Sequence, residues 1–247
     1  MATKRILVFF LIILLLSIFS IIYPSLTGKA SGQTDYPLEY ATLQRVIDGD
    51  TIELDNQEHV RMLGINTPEK KMPLSNESKA FLQQFVGKKI TLERDWEDTD
   101  KYKRKLRYIY YDNRFLNQEI LELGLANSYY MSGLKYEKQL LSAEEQAKDQ
   151  QIGIWKKSTE LCVNCIKLKE LNPTQEYFII TNECNYDCTL DKWFVKDAGR
   201  NTIYISNMSA SAQKTYDSNG KDIWNNEGDR LFMFDNKGLL VLFYEYS

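Results

Sequence analysis

Apolar residues fall along this chain in successive patterns, and each pattern predicts a different kind of element. Residues 6–23 are apolar throughout apart from Ser17 and Ser20, and Lys4-Arg5 precede them. A run of about eighteen such residues sits at the boundary between a signal-peptide core and a membrane-spanning helix. In both cases the basic residues stay inside and the remaining chain is exported. Gly28-Lys29-Ala30 supplies small residues suited to a cleavage position. Residues 1–30 are therefore expected to be a signal peptide or an N-terminal membrane anchor, followed by a polar linker over 31–37.

The next stretch alternates first as strands and then as helices. Val46, Ile47, Ile52 and Leu54 flank Asp48-Gly49-Asp50, where a glycine between acids suits a bulge or a sharp bend. Val60, Met62 and Leu63 form a second apolar run, with Arg61 on the face opposite its neighbours. Leu106, Tyr108 and Tyr110 alternate as a further strand. Tyr136, Leu140, Ala143 and Ala147 recur at helical spacing, ahead of Gly153-Ile154-Trp155. Beyond Trp155 helical patterning stops. Short runs follow between turn residues: Tyr177 to Ile180, Trp193 to Val195, Thr202 to Ile205, Leu231 to Phe234 and Leu239 to Tyr244. They argue for a β-sandwich, with Asp235 to Gly238 as the hairpin turn between its last two strands.

Composition narrows the function classes. The chain has 247 residues, 43% of them hydrophobic, enough for one large or two small domains. Its net charge of −3 excludes a global basic field that would draw in nucleic acid. Any such binding is expected from the local cluster Lys101, Lys103, Arg104, Lys105 and Arg107, and to fall steeply with salt.

Candidate chemistry concentrates between Asp48 and Glu69. Acidic residues, a strand-borne arginine and the turn Asn66-Thr67-Pro68-Glu69 occur within about twenty residues. Carboxylate and carbonyl oxygens suit a hard divalent cation, and a planar guanidinium suits a phosphate. Arg104, at the entrance to the strand containing Tyr108, adds a second guanidinium. Ordinary polar hairpins would account for the same residues taken singly.

The ordered set resembles the staphylococcal (thermo)nuclease family. The segments that carry the likeness are Val46 to Thr51, Arg61 to Glu69, Asp100 to Arg104, Gly124-Leu125-Ala126 and the helix around Ser142 to Lys148. The resemblance covers residues 38–157. It implies an OB-fold, a five-stranded barrel with three helices, and Ca²⁺-dependent cleavage of DNA and RNA that leaves 3′-phosphates. It also implies roles: Asp50 and the backbone carbonyl of Thr67 hold the metal, and Glu69 is the general base. Arg61 and Arg104 bind phosphate, and Tyr102 and Tyr130 border the nucleotide. Asn66 stands where the family's defining nuclease has an aspartate. The asparagine keeps an oxygen ligand and removes a charge, so a weaker metal site is expected.

Residues 165–247 resemble a lamin-tail domain, an immunoglobulin-like sandwich, through Leu190-Asp191-Lys192-Trp193 and the Trp224 to Asp229 segment. A fold of this kind implies no catalysis, and its ligand on a surface is unknown. The four cysteines, Cys162, Cys165, Cys184 and Cys188, suit either two disulfides or a tetrahedral Zn²⁺ site. An oxidising exported setting favours disulfides. His59, the single histidine, is expected on the surface without a role. Two functions compete at this point. One is an exported nuclease, secreted or membrane-anchored, with all its chemistry in residues 38–157. The other is a catalytically weak nucleic-acid-binding or adhesive surface protein.

Overall fold

A computed structural model describes residues 36–129 and 133–247. The apolar run at 6–23 and Tyr130 lie outside the described residues. Among the described residues no helix is long and apolar enough to cross a membrane.

The first half builds a barrel. In chain order its elements are β1 (Glu39–Val46), β2 (Thr51–Leu54), β3 (His59–Met62), β4 (Ile65–Asn66) and α1 (Ser75–Gln83). Next come β5 (Lys89–Thr99), β6 (Lys105–Tyr111), β7 (Arg114–Phe115), α2 (Leu116–Glu122), β8 (Asn127–Ser128) and α3 (Glu137–Asp149). The sheet runs β3-β2-β1-β5-β6-β7, and β3 also pairs with β6 in parallel. That extra pairing closes five strands on themselves and removes the open edges. Leu43, Ile52, Val60, Leu92 and Ile109 fill the interior, and α2 and α3 add Ile120, Leu121, Leu140 and Ala143. Leu140, Ala143 and Ala147 all lie on the buried face of α3, as their spacing requires.

Gly49 owes its place to crowding. A Cβ there would stand 2.6 Å from Thr67 Oγ1 and 2.7 Å from Ser78 Cβ. Glycine at 49 thus lets the acidic turn, the Thr67 turn and α1 meet. Gly153 has φ +57°, and a Cβ on it would lie 2.0 Å from the Gly124 carbonyl oxygen, which accepts the Ile154 N–H at 2.8 Å. The two glycines join the turn after α2 to the end of the barrel.

The second half is a sandwich of two antiparallel sheets. Its strands are β9 (Ile166–Asn172), β10 (Tyr177–Asn182), β11 (Phe194–Lys196), β12 (Thr202–Tyr204), β13 (Gln213–Asp217), β14 (Asp229–Phe234) and β15 (Leu240–Tyr246). One sheet has the order β13-β10-β9 and the other β12-β11-β14-β15. Phe178 and Ile180 from the first meet Val195, Leu231 and Met233 from the second in one core. The Asp235 to Gly238 turn joins β14 to β15, with the Gly238 N–H donating to the Asp235 carbonyl at 3.0 Å. Cys162 pairs with Cys188 and Cys165 with Cys184, so the zinc alternative falls away and no cysteine is free. The bridges tie the entry to β9 to the loop after β10.

β14 is buried along its whole length. Leu231 and Met233 face the sandwich core, while Phe232 and Phe234 join Ala147, Ile154 and Trp155 of the barrel in a separate cluster. A strand with alternating faces can read Leu-Phe-Met-Phe only if both faces are covered. The Trp155 ring packs edge-on against Phe243 at 5.2 Å and tilted against Phe232 at 5.5 Å. Backbone bonds continue the contact, from Leu240 N–H to the Lys156 carbonyl at 2.8 Å and from Ser158 N–H to the Leu240 carbonyl at 2.9 Å. Beneath these, Arg230 Nη1 reaches Glu144 at 2.9 Å and Ser128 Oγ at 2.8 Å, all buried.

Candidate active site

Three neighbouring pieces of the barrel assemble the site. Arg61 lies on β3 directly across from Thr51 on β2, which immediately follows Asp50. The Arg61 Nη1 stands 2.8 Å from Asp50 Oδ2, and its Nη2 donates to Asn66 Oδ1 at 2.9 Å. Asp50 Oδ2 also accepts from the Thr67 N–H at 3.1 Å and the Thr67 hydroxyl at 3.0 Å. Thr51 Oγ1 donates to Asp50 Oδ1 at 3.0 Å and accepts from Arg104 Nη1 at 3.1 Å. Both guanidinium groups therefore bracket one Asp50-Thr51 step.

Arg104 is itself aimed by Asp100. That carboxylate accepts from Arg104 Nε at 2.7 Å and from the backbone N–H groups of Tyr102 and Arg104. Tyr102 is exposed, with its ring 5.5 Å from the Arg104 guanidinium.

Charge balance follows from these contacts. Burial alone would raise the Asp50 carboxyl, but the Arg61 charge and the Thr67 and Thr51 donors outweigh it and hold the group below its ordinary value. Asp48 goes the other way, raised by burial and by the Asp50 charge beside it. Two carboxylates thus crowd one turn. Asp50, Asn66 and the Thr67 carbonyl offer oxygen donors, a chemistry that fits a hard divalent cation, and Asp50 and Asn66 are also engaged by Arg61. Among the described residues no cluster of three or more His, Cys, Asp or Glu side chains is arranged for a metal. A cation at this turn would lean on amide and backbone oxygens as well.

The structure redistributes the basic cluster. Lys105 is paired with Glu39 and Glu58, each at 2.8 Å, and Arg107 is buried against Glu39 and Asp98. Arg107 braces the barrel and offers nothing to a ligand. Arg104 is the member of the cluster that enters the site. His59 is exposed beside Glu53, as its surface assignment requires.

Glu69 pairs with neither Arg61 nor Arg104. Its carboxylate meets Arg200 Nε at 2.9 Å, from the loop between β11 and β12 of the sandwich. The same loop touches Asn66, whose Nδ2 donates to the carbonyls of Ala198 at 3.0 Å and Gly199 at 3.1 Å. Asn127 Nδ2 donates to the Ala198 carbonyl as well, at 3.2 Å. Residues 165–247, expected to carry none of the chemistry, thus place Arg200 and two loop carbonyls against Glu69 and Asn66. Arg200 escapes a sequence reading because Asp197-Ala198-Gly199-Arg200-Asn201 has the composition of any polar turn. Asn66 held the available signal: an amide in place of a carboxylate donates to carbonyls that a carboxylate would repel.

Comparison with known proteins places the chain among nucleases of one family. The model of the staphylococcal nuclease homologue family matches residues 59–157. A thermonuclease of Staphylococcus intermedius is 31% identical over 163 residues, covering 59% of this chain and 95% of that protein. A thermonuclease of Staphylococcus hyicus is 30% identical over 138 residues, 51% of this chain and 82% of its own. Endonuclease YncB of Bacillus subtilis (strain 168) is 35% identical over 144 residues, 53% of this chain and 68% of its own. With a closed five-stranded barrel, two arginines bracketing one aspartate and this coverage of two thermonucleases, the chain belongs to the staphylococcal nuclease family.

Proposed function

We propose that this protein is an exported, Ca²⁺-dependent nuclease that hydrolyses phosphodiester bonds in DNA and RNA and leaves 3′-phosphates. The observation that carries the reading is the placement of Arg61 and Arg104 on either side of Asp50-Thr51. Two oriented guanidinium forks converge where a phosphate would meet the acidic turn. Arg61 and Arg104 bind the phosphate and stabilise the charge that grows on its oxygens, where fixed donors count most. Glu69 takes the proton from the attacking water. Tyr102 offers its exposed ring to the nucleotide. Asp50, Asn66 and the Thr67 carbonyl are the residues that would hold Ca²⁺. Bound there, the ion supplies Lewis-acid polarisation of the phosphate and orientation of the water.

Export is supported by the two disulfides, which persist outside reducing compartments. The leader at residues 1–30 would either be cleaved or tether the enzyme to the membrane. The C-terminal sandwich is read as a lamin-tail-like domain, a reading supported by its two-sheet architecture. The deciding experiment is cleavage of plasmid DNA by purified residues 36–247, with Ca²⁺ and with excess chelator. Cleavage that stops on chelation is expected. Persistent cleavage in chelator contradicts the metal requirement, and binding without cleavage under both conditions returns the protein to the adhesive class.

A further inference from the structure

We propose that the loop at residues 197–201 of the sandwich is the second wall of the active site, and that Arg200 is the residue that positions Glu69. The inference rests on the reading of Glu69 as the base. It goes beyond that reading because it assigns part of the site to a domain whose fold implies no chemistry.

Placement of the loop is over-determined. Asn66 and Asn127 donate to its carbonyls from the barrel side. From its own side, Asp197 accepts the Asn201 N–H at 3.0 Å and the Asn201 side-chain amide at 2.7 Å. Asp229 accepts the Ala198 N–H at 3.3 Å. The strand before the loop, β11, is anchored in the apolar cluster through Phe194. Arg200 therefore projects from a fixed backbone.

Glu69 has the opposite character. It follows Pro68 in an open turn, its side chain is 41% exposed, and Arg200 is its ion-pair partner among the described residues. An exposed pair of this kind contributes little to stability, about 0–1 kcal/mol. Docking of the two halves is done elsewhere, by Trp155, Phe232 and Phe234 and by the buried Arg230–Glu144 pair. What the Arg200 contact does is select one orientation of a carboxylate that would otherwise sample several. The contact is made through Nε. Glu69, Arg200, Lys196 and Phe194 line one cleft at the junction.

Asn66 completes the argument. It bridges Arg61, through Oδ1, to the loop, through Nδ2. One side chain thus registers the phosphate-binding arginine against the loop that holds Arg200.

The test is a double-mutant cycle in the protein spanning residues 36–247, read as kcat and KM on a short DNA duplex with Ca²⁺. Arg200→Ala should lower kcat about tenfold or more, the size of effect that misplacing a catalytic group produces, with KM and melting temperature near the parent's. Arg200→Lys should recover part of the loss. In a Glu69→Gln background, Arg200→Ala should change kcat no further, because the group it positions is already gone. A parent-like kcat for Arg200→Ala, beside a slow Glu69→Gln, overturns this inference alone. Equal losses in both backgrounds show that Arg200 acts independently of Glu69 and also overturn it, as does a rise in kcat, which would mean that the loop restrains the base. Parent-like cleavage by Glu69→Gln overturns the assignment of the base and this inference with it.

Discussion

The two walls of this site are built on opposite principles. The Arg61 wall is buried and local: Arg61, Asp50, Thr51 and Thr67 lie on adjoining strands and turns of one barrel, joined by contacts of 2.8–3.1 Å. The Glu69 wall is exposed and borrowed, since its carboxylate meets an arginine 131 positions further along the chain, in another fold. Burial makes the first wall rigid and intolerant of change. Exposure leaves the second adjustable, so its order depends on how firmly the sandwich is docked. On the proposed function, the phosphate clamp lies in the first wall and the group that exchanges a proton with water in the second.

Undocking the borrowed wall should produce the largest effect. Arg230→Met leaves the Glu144 carboxylate buried with only the more distant Lys148, at 3.4 Å, as a cationic partner. Removing one member of a buried pair typically costs about 3–5 kcal/mol, and urea unfolding of residues 36–247 should show a loss near the lower end. Parent-like stability would mean that the apolar cluster docks the sandwich unaided.

A smaller and more informative effect is expected at Asn66. Asn66→Asp adds a charge beside Asp50, so the Ca²⁺ concentration for half-maximal cleavage should fall. The same change turns a donor to the Ala198 and Gly199 carbonyls into an acceptor, a mismatch that costs about 1–3 kcal/mol and displaces the loop. Tighter metal dependence together with lower turnover at saturating Ca²⁺ is the expected pair. Faster turnover would show that the loop contact is dispensable.

Asp197 gives the smallest effect and ties it to pH. Burial raises this carboxyl to about 6, despite the Asn201 hydrogen bonds and the Lys196 charge that oppose the shift. A carboxyl raised in the folded state costs stability when ionised, so the penalty is present above pH 6 and is relieved as pH falls through 6 toward 4. Asp197→Asn should therefore raise the melting temperature at pH 8 by roughly 2–4 °C, a change of about 1 kcal/mol, and by much less at pH 4.5. Equal gains at both pH values would assign the effect to the hydrogen bonds alone.

The same contrast explains what could be read from sequence. Asp50, Arg61, Asn66 and Thr67 fall within about twenty residues, which strand pairing and the following turn bring into contact, whereas Arg104, 53 positions from Thr51, was legible only through the family resemblance. The helix face Leu140, Ala143 and Ala147 was legible because a single period fixed it. β9 and β13 were not seen: Ile166-Lys167-Leu168-Lys169 and Gln213-Lys214-Thr215-Tyr216 lie at sheet edges and are half polar. Disulfide pairing stayed open because four cysteines allow three connectivities. Of the barrel–sandwich junction, one trace was present in the apolar run of β14, whose two covered faces demand a partner beyond the sandwich. Arg200 left none, since a turn's composition carries no information about what the turn touches.

Arg61→Lys in residues 36–247, assayed on short duplex DNA at saturating substrate and Ca²⁺, tests the central claim most directly. Lysine preserves the charge against Asp50 but loses the fork that reaches Asn66 as well. If the buried wall is the phosphate clamp, turnover falls on the order of 10²-fold while circular dichroism and melting remain close to the parent's. Parent-like turnover by a folded Arg61→Lys protein would contradict the account.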